Sequence, residues 1–208
     1  PAVVAESTRA MQRSIGAAVE RLAHDLYASR GHFVMELLQN ADDNSYAEGV
    51  EASIALSLEA DAQGACYFAA VNNEVGMTGR DVEALCDVNR STKGSGERKI
   101  GRKGVGWKAV FAVSDRPTVL SGAFRFRFDV ERLGRLGYVT PEALAPADYV
   151  ALPARLREAH EGQAPATVLF LPLRDSRADG RAGGLEEPDW IAGLVRQCAD
   201  CLFAQPAW

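Results

Sequence analysis

Residues 32 to 44 constrain the chain most. Phe33, Val34, Leu37, Leu38 and Ala41 recur at three- and four-residue spacing and make one apolar side of a helix. At about 100° per residue, Glu36, Asn40 and Asp43 fall within roughly 60° of one another on the other side. Such a helix can pack its back on a sheet and hold a row of acid, amide and acid over a pocket. Those residue types suit metal-assisted phosphate chemistry. A carboxylate can take a proton from an attacking water. A neutral amide oxygen can ligate Mg2+, which favours oxygen donors and keeps several of its waters. An ordinary solvated helix face has the same composition, so the row alone does not separate the two.

The order of the other segments narrows the fold. Residues 11 to 30 are expected to be helical, with Ile15, Val19, Leu22 and Leu26 as the apolar stripe. Residues 53–58 alternate as a half-buried strand does, Asp61 to Gly64 reads as a turn, and 65–72 is a second strand. A short helix follows over 80–88, then a basic, glycine-rich loop over 91–104 and a helix over 105–113. Strands are expected over 117–120 and 124–129, turning at Ser121-Gly122. Phe124-Arg-Phe-Arg-Phe128 puts two arginines on one side, which reads as an exposed sheet face. Residues 131–164 are polar and rich in Pro and Ala, and read as an insertion with one short helix near 154–159. A strong strand runs over 167–173, and 188–203 has helical periodicity.

Strand and helix do not alternate as they would in a doubly wound fold. The expected class is α+β, a two-layer α/β sandwich whose mixed, mostly antiparallel sheet carries helices on one face. One domain is expected over 1–208, with its core at 11–130 and 165–203 and the insertion at 131–164.

Composition excludes several classes. Lys plus Arg is 23 against 28 for Asp plus Glu, a formal charge of −5, so a polyanion such as nucleic acid is not the expected ligand. Cys66, Cys86, Cys198 and Cys201 show no disulfide framework, and the lone Cys198-Ala-Asp-Cys201 pair lacks the second pair that structural zinc needs. His24, His32 and His160 are scattered, so no ligand role is expected of them. No run approaches the roughly 18 apolar residues that span a bilayer, and the N-terminus is no signal peptide. The expectation is an intracellular protein, cytoplasmic or nuclear, without membrane contact. It starts at Pro1, which points to a piece of a longer protein.

Two glycine segments sharpen the functional reading. Val71-Asn-Asn-Glu-Val-Gly-Met-Thr78 ends a strand in a glycine turn, and Gly101-Arg-Lys-Gly104-Val-Gly106 opens a helix. Glycines there let backbone N–H groups approach a phosphate at a helix N-terminus. A P-loop is excluded, because Arg102-Lys103 follows Gly101 where Lys-Ser/Thr is required. Gly104-Val-Gly106-Trp-Lys-Ala109 fits a dinucleotide pattern formally, but a basic loop precedes it where an apolar strand is needed. Trp107 is expected to plug its helix into the core.

Taken in order, these segments resemble the GHKL ATPase superfamily, the Bergerat fold of gyrase, heat-shock chaperones, MutL and histidine kinases. Glu36, Asn40 and Asp43 match its E-x-x-x-N-x-x-D box, residues 72–78 its D-x-G-x-G-[MF]-T box, and residues 101–106 its G-x-x-G-x-G box. Residues 166–171 resemble the late strand that carries the site's threonine. The stretches 32–46, 72–76, 86–93 and 104–111 are similar to the sacsin and NO VEIN-like branch.

The resemblance implies an Mg-ATP site. Glu36 would be the general base, Asn40 the Mg2+ ligand, and Asp43 a support for water near the purine. Asn72 would accept from the adenine amino group, with Asn73 as substitute if the turn shifts by one. Gly76 and Met77 would line the base, Met77 packing on it, and Thr167 would reach it through water. Lys93 would sit in a lid formed by 91–104, with Arg98 and Lys99 as weaker candidates. Gly101, Lys103, Gly104, Val105 and Gly106 would give backbone donors to the phosphates.

Two positions depart from the superfamily box. Asn72 replaces an aspartate and loses charge assistance worth on the order of 1 kcal/mol. Glu74 replaces a glycine and makes the turn less permissive. The implied function is slow ATP hydrolysis driving a conformational switch in a larger, chaperone-like protein. Its partner would be a following domain or another protein, and ATP would promote a dimer. The two departures keep a second reading open, a non-catalytic, nucleotide-dependent interaction module of a scaffold.

Overall fold

A computed structural model describes residues 32–61, 63–87 and 106–174, with Ala17 and Gly193 as single helical positions. The helices expected over 11–30 and 188–203 and the loop over 91–104 lie outside the described residues.

Among the described residues, six strands form one sheet: β1 Ile54–Ala60, β2 Cys66–Asn72, β3 Thr118–Ser121, β4 Phe124–Phe128, β5 Pro141–Ala143 and β6 Thr167–Pro172. Their order is β1-β2-β6-β3-β4-β5, and every neighbouring pair is antiparallel. β1 and β2 form a hairpin closed by Asp61, whose Oδ1 accepts from Gln63 N (2.9 Å) and Ala65 N (2.8 Å). Gly64 completes that turn at a φ of 81°.

The α-helices among the described residues are α1 His32–Asp43, α2 Gly79–Cys86, α3 Val130–Leu133, α4 Pro146–Ala151 and α5 Ala154–Glu161. α2 starts with a capping box: Thr78 Oγ1 accepts from Asp81 N, and Asp81 Oδ2 accepts from Thr78 N. Gly106–Ala112 winds as a 3₁₀ helix where a regular helix was expected. Trp107, Lys108, Ala109, Val110 and Phe111 are all buried. The segment has no solvent stripe of the amphipathic kind, so surrounding packing sets its winding.

The main core lies between one sheet face and α1 with the 3₁₀ segment. Phe33, Val34 and Leu37 meet Phe68, Phe111, Phe128 and Leu171 there. Phe33 and Phe68 stand edge to face at 5.2 Å.

The opposite face is covered too, which corrects the expectation of helices on one face only. Tyr149, Leu152 and Leu156 of α4, its C-cap and α5 pack on Tyr67, Ala69, Leu120 and Val168. The insertion over 131–164 is therefore structured beyond one helix: it holds part of α3, a second 3₁₀ turn, β5, α4 and α5. The arginine face of β4 lies beside α4. The Arg125 guanidinium stacks on Tyr149 at 4.2 Å, and Arg127 pairs with Asp148 at 3.1 Å. Among the described residues no helix is long and apolar enough to cross a membrane.

Candidate functional site

A cavity of about 400 Å3 opens on the α1 side of the sheet. Its walls come from distant parts of the chain: Asn40 and Asn44 at the end of α1, Asn72 to Thr78 after β2, α2, Trp107, and Thr167 and Leu169 of β6. Of the expected site residues, Asn40, Asn72, Gly76, Met77 and Thr167 line this one cavity.

Asn72 is held rigidly. It is 6% exposed, and its Nδ2 donates to Ser53 O and to Tyr46 Oη, each at 2.9 Å. A carbonyl can only accept, so the nitrogen must face Ser53 and the oxygen must face the other way. Asn72 Oδ1 then accepts from Asn44 Nδ2 at 3.2 Å and keeps a second lone pair. Tyr46 in turn donates to Ala41 O, tying the amide to the last turn of α1.

Asn73 is not brought to the cavity. Its side chain accepts from Ser53 N (2.7 Å) and donates to Glu51 O (2.8 Å), bracing the segment that leads into β1. Glu74 is buried and lines the cavity. Among the described residues no residue other than glycine has a positive φ, so the Glu74 position needs no glycine. Gly76 does: its φ is 98°, and a Cβ there would lie 3.4 Å from Ser121 Oγ.

Ser121, expected only as a turn residue, ends β3 and organises the cavity floor. It is fully buried, accepts from Met77 N at 2.8 Å, and lies 2.6 Å from Thr167 Oγ1. Among the described residues its only acceptor within reach is Thr167. If Thr167 donated to Ser121 instead, the Ser121 proton would be buried without a partner, at roughly 1–3 kcal/mol. The Ser121 hydroxyl therefore donates to Thr167, and the Thr167 proton is free for the cavity.

Glu36 stands one turn before Asn40 and outside the cavity wall. Its Oε1 meets His32 Nε2 at 2.9 Å, a contact the spacing of four allows but the sequence reading set aside. Its other oxygen lies against Gly106, where a Cβ would overlap the carboxylate. Asp43 is half-buried and does not line the cavity. Lys93, Gly101, Lys103, Gly104 and Val105 lie outside the described residues, as do Arg98 and Lys99.

Two further groups shape the walls. Trp107 is 5% exposed and packs on Phe128 at 5.9 Å, as expected, yet its Nε1–H finds no acceptor among the described residues. Lys108 is 2% exposed and donates to Leu85 O (2.5 Å) and Tyr138 O (2.6 Å), with its ammonium 4.9 Å from the Phe128 ring. It thereby ties the end of α2 to the 3₁₀ segment. Burial pushes its pKa down to about 8, with Cys86 and Asp87 opposing the shift. Burial also pushes the Cys86 thiol up.

A resident metal cage is absent among the described residues, which hold no cluster of three or more His, Cys, Asp or Glu. The donor set instead suits a Mg2+ that arrives on phosphates and takes one protein oxygen. Asn40 lines the cavity, and among the described residues its amide makes no hydrogen bond, so its oxygen is available.

Comparison with known proteins gives two matches. The sacsin domain family matches residues 19–132. Protein NO VEIN of Arabidopsis thaliana is 39% identical over 163 residues, which is 77% of this chain and 6% of that protein's length. The chain thus spans only a small part of that relative.

Proposed function

Because the chain belongs to the sacsin domain family, and because one cavity collects the motif residues, we propose that it binds Mg-ATP and hydrolyses it slowly. One observation carries the reading: Asn40, Asn72, Gly76, Met77 and Thr167, spread over 128 positions of sequence, line the same cavity.

The polar pattern of the floor supports adenine as the base. Asn72 and Thr167 are register partners on β2 and β6. With Thr167 meeting the base directly, in place of the water-mediated contact that the resemblance implies, they offer an acceptor and a donor side by side, which complements an amino group next to a ring nitrogen. Met77 supplies an apolar surface for the base. Asn40 would hold the Mg2+, which would screen the phosphate charge. Glu36 is the group to take a proton from water, and His32 keeps its carboxylate oriented. The segment 91–104 would serve as the lid, and the bound nucleotide would act as a switch on a following domain or partner.

Calorimetric titration with a non-hydrolysable ATP analogue tests the reading, with and without Mg2+. Mg2+-dependent binding that is lost in Asn40→Ala is the expected result. No binding at millimolar analogue would refute it. A second reading, a binding module without turnover, is favoured by the tight engagement of Asn72 in three hydrogen bonds. It predicts binding with ATP turnover equal in the parent and Glu36→Ala.

A further inference from the structure

We infer that Ser121 is a positioning residue that tilts the base preference of the cavity, by occupying one of the two lone pairs of the Thr167 hydroxyl. The inference rests on the nucleotide reading above and extends it to selectivity.

Three side chains stand in a row across three adjacent strands. Asn72 of β2 is the register partner of Thr167 of β6, and Thr167 is the register partner of Ser121 of β3. Directly paired residues point to the same face, so the row faces the cavity. Its proton directions follow one from another. Met77 N–H occupies a lone pair of Ser121. The buried Ser121 proton goes to Thr167 Oγ1. With one lone pair taken by Ser121, Thr167 keeps its proton and one lone pair for the cavity, where an unbonded hydroxyl has a proton and two lone pairs, so the Ser121 contact tilts it toward donating.

The floor accepts at Asn72 and donates at Thr167. Adenine matches it with an amino donor and the N1 acceptor. Hypoxanthine opposes it at both points, with a carbonyl oxygen and an N1–H. Removing the Ser121 hydroxyl frees the second lone pair of Thr167. Thr167 can then accept from N1–H more readily, and one of the two mismatches is eased.

The test is calorimetric titration with ADP and with IDP, which carry no hydrolysable γ-phosphate, in the parent, Ser121→Ala and Ser121→Cys. The parent should prefer ADP clearly. In Ser121→Ala the ADP to IDP affinity ratio should fall about two- to fivefold, at most one net hydrogen bond's worth. Ser121→Cys keeps a weak donor of similar size and should fall between the two, which also serves if the alanine variant does not fold. A merely structural role would weaken both nucleotides together and leave the ratio unchanged. An unchanged ratio in the folded variants overturns the inference, as does a parent that binds ADP and IDP equally. A parent that binds neither nucleotide overturns the nucleotide reading and this inference with it.

Discussion

Lys108 makes stability depend on pH in a way that can be worked out. Its ammonium is buried, and its pKa falls from 10.5 to about 8. Between those values the unfolded chain holds the proton and the folded chain has released it. Stability must then rise with pH across the window. The cost of the buried charge is fully present below the lower value and is relieved as pH rises to the upper one. At about 1.4 kcal/mol per pH unit, the gain is roughly 3 kcal/mol. Lys108→Met removes the titration. It also removes the donors to Leu85 O and Tyr138 O, which lowers the whole curve without changing its slope. Cys86, raised by burial, contributes in the opposite direction, a penalty that grows as pH rises above its ordinary value, so both proteins should carry Cys86→Ser. Urea unfolding from pH 7.5 to 10.5 is the assay. The stability of the protein with Lys108 intact, minus that of the Lys108→Met variant, should increase by about 3 kcal/mol across the range. A difference that stays constant to within about 1 kcal/mol would refute the reasoning.

Three other sites test the construction of the cavity and its surroundings. Asn72→Asp introduces the residue found in the box that this segment resembles, yet it replaces an amide nitrogen with a carboxylate oxygen facing Ser53 O. It should destabilise by about 1–3 kcal/mol in urea unfolding, and unchanged stability would mean the amide network is not what holds this turn. Gly76→Ala forces a side chain onto a φ of 98° and should lower stability by about 1–2 kcal/mol. As its control, Gly79→Ala, whose Cβ would meet nothing, should leave the melting temperature unchanged or slightly higher. Gly106→Ala pushes the half-buried Glu36 carboxylate away from its seat. Stability should change by less than about 1 kcal/mol because the side chain can swing outward, while any ATP turnover should fall to the level of Glu36→Ala.

What could be read in advance followed from repetition and spacing. α1 showed as a stripe with a polar row, and the β1–β2 hairpin showed as alternation around a turn. Of the residues named through the resemblance, Asn40, Asn72, Gly76 and Met77 from two of its boxes and Thr167 from its late strand line the cavity. What escaped had no such signal. α4 is short, and the Pro- and Ala-rich stretch around it hides its single buried position Tyr149; α5 was expected as a short helix near 154–159, but not the packing of its Leu156 on the sheet. Ser121, Tyr46 and Lys108 are isolated polar residues, and their roles come from what strand pairing and packing set opposite them. Asn73 could be nominated only because one slot in a box looks like the next. The structure gives the two asparagines different jobs, one at the cavity and one bracing the lead into β1.

The place of β6 has a consequence for how the domain is made. β6 sits between β2 and β3, pairing with both. The family match ends at residue 132, whereas this strand begins at Thr167. During synthesis the β1–β2 hairpin and the β3–β4 hairpin leave the ribosome first, each with an open edge where the central strand belongs. They can be joined only once residues 167–172 have emerged. A polypeptide cut at the edge of the family match would hold two half-sheets with unpaired inner edges, which invites aggregation. The cavity floor, shared by Asn72, Thr167 and Ser121, would be missing its middle member.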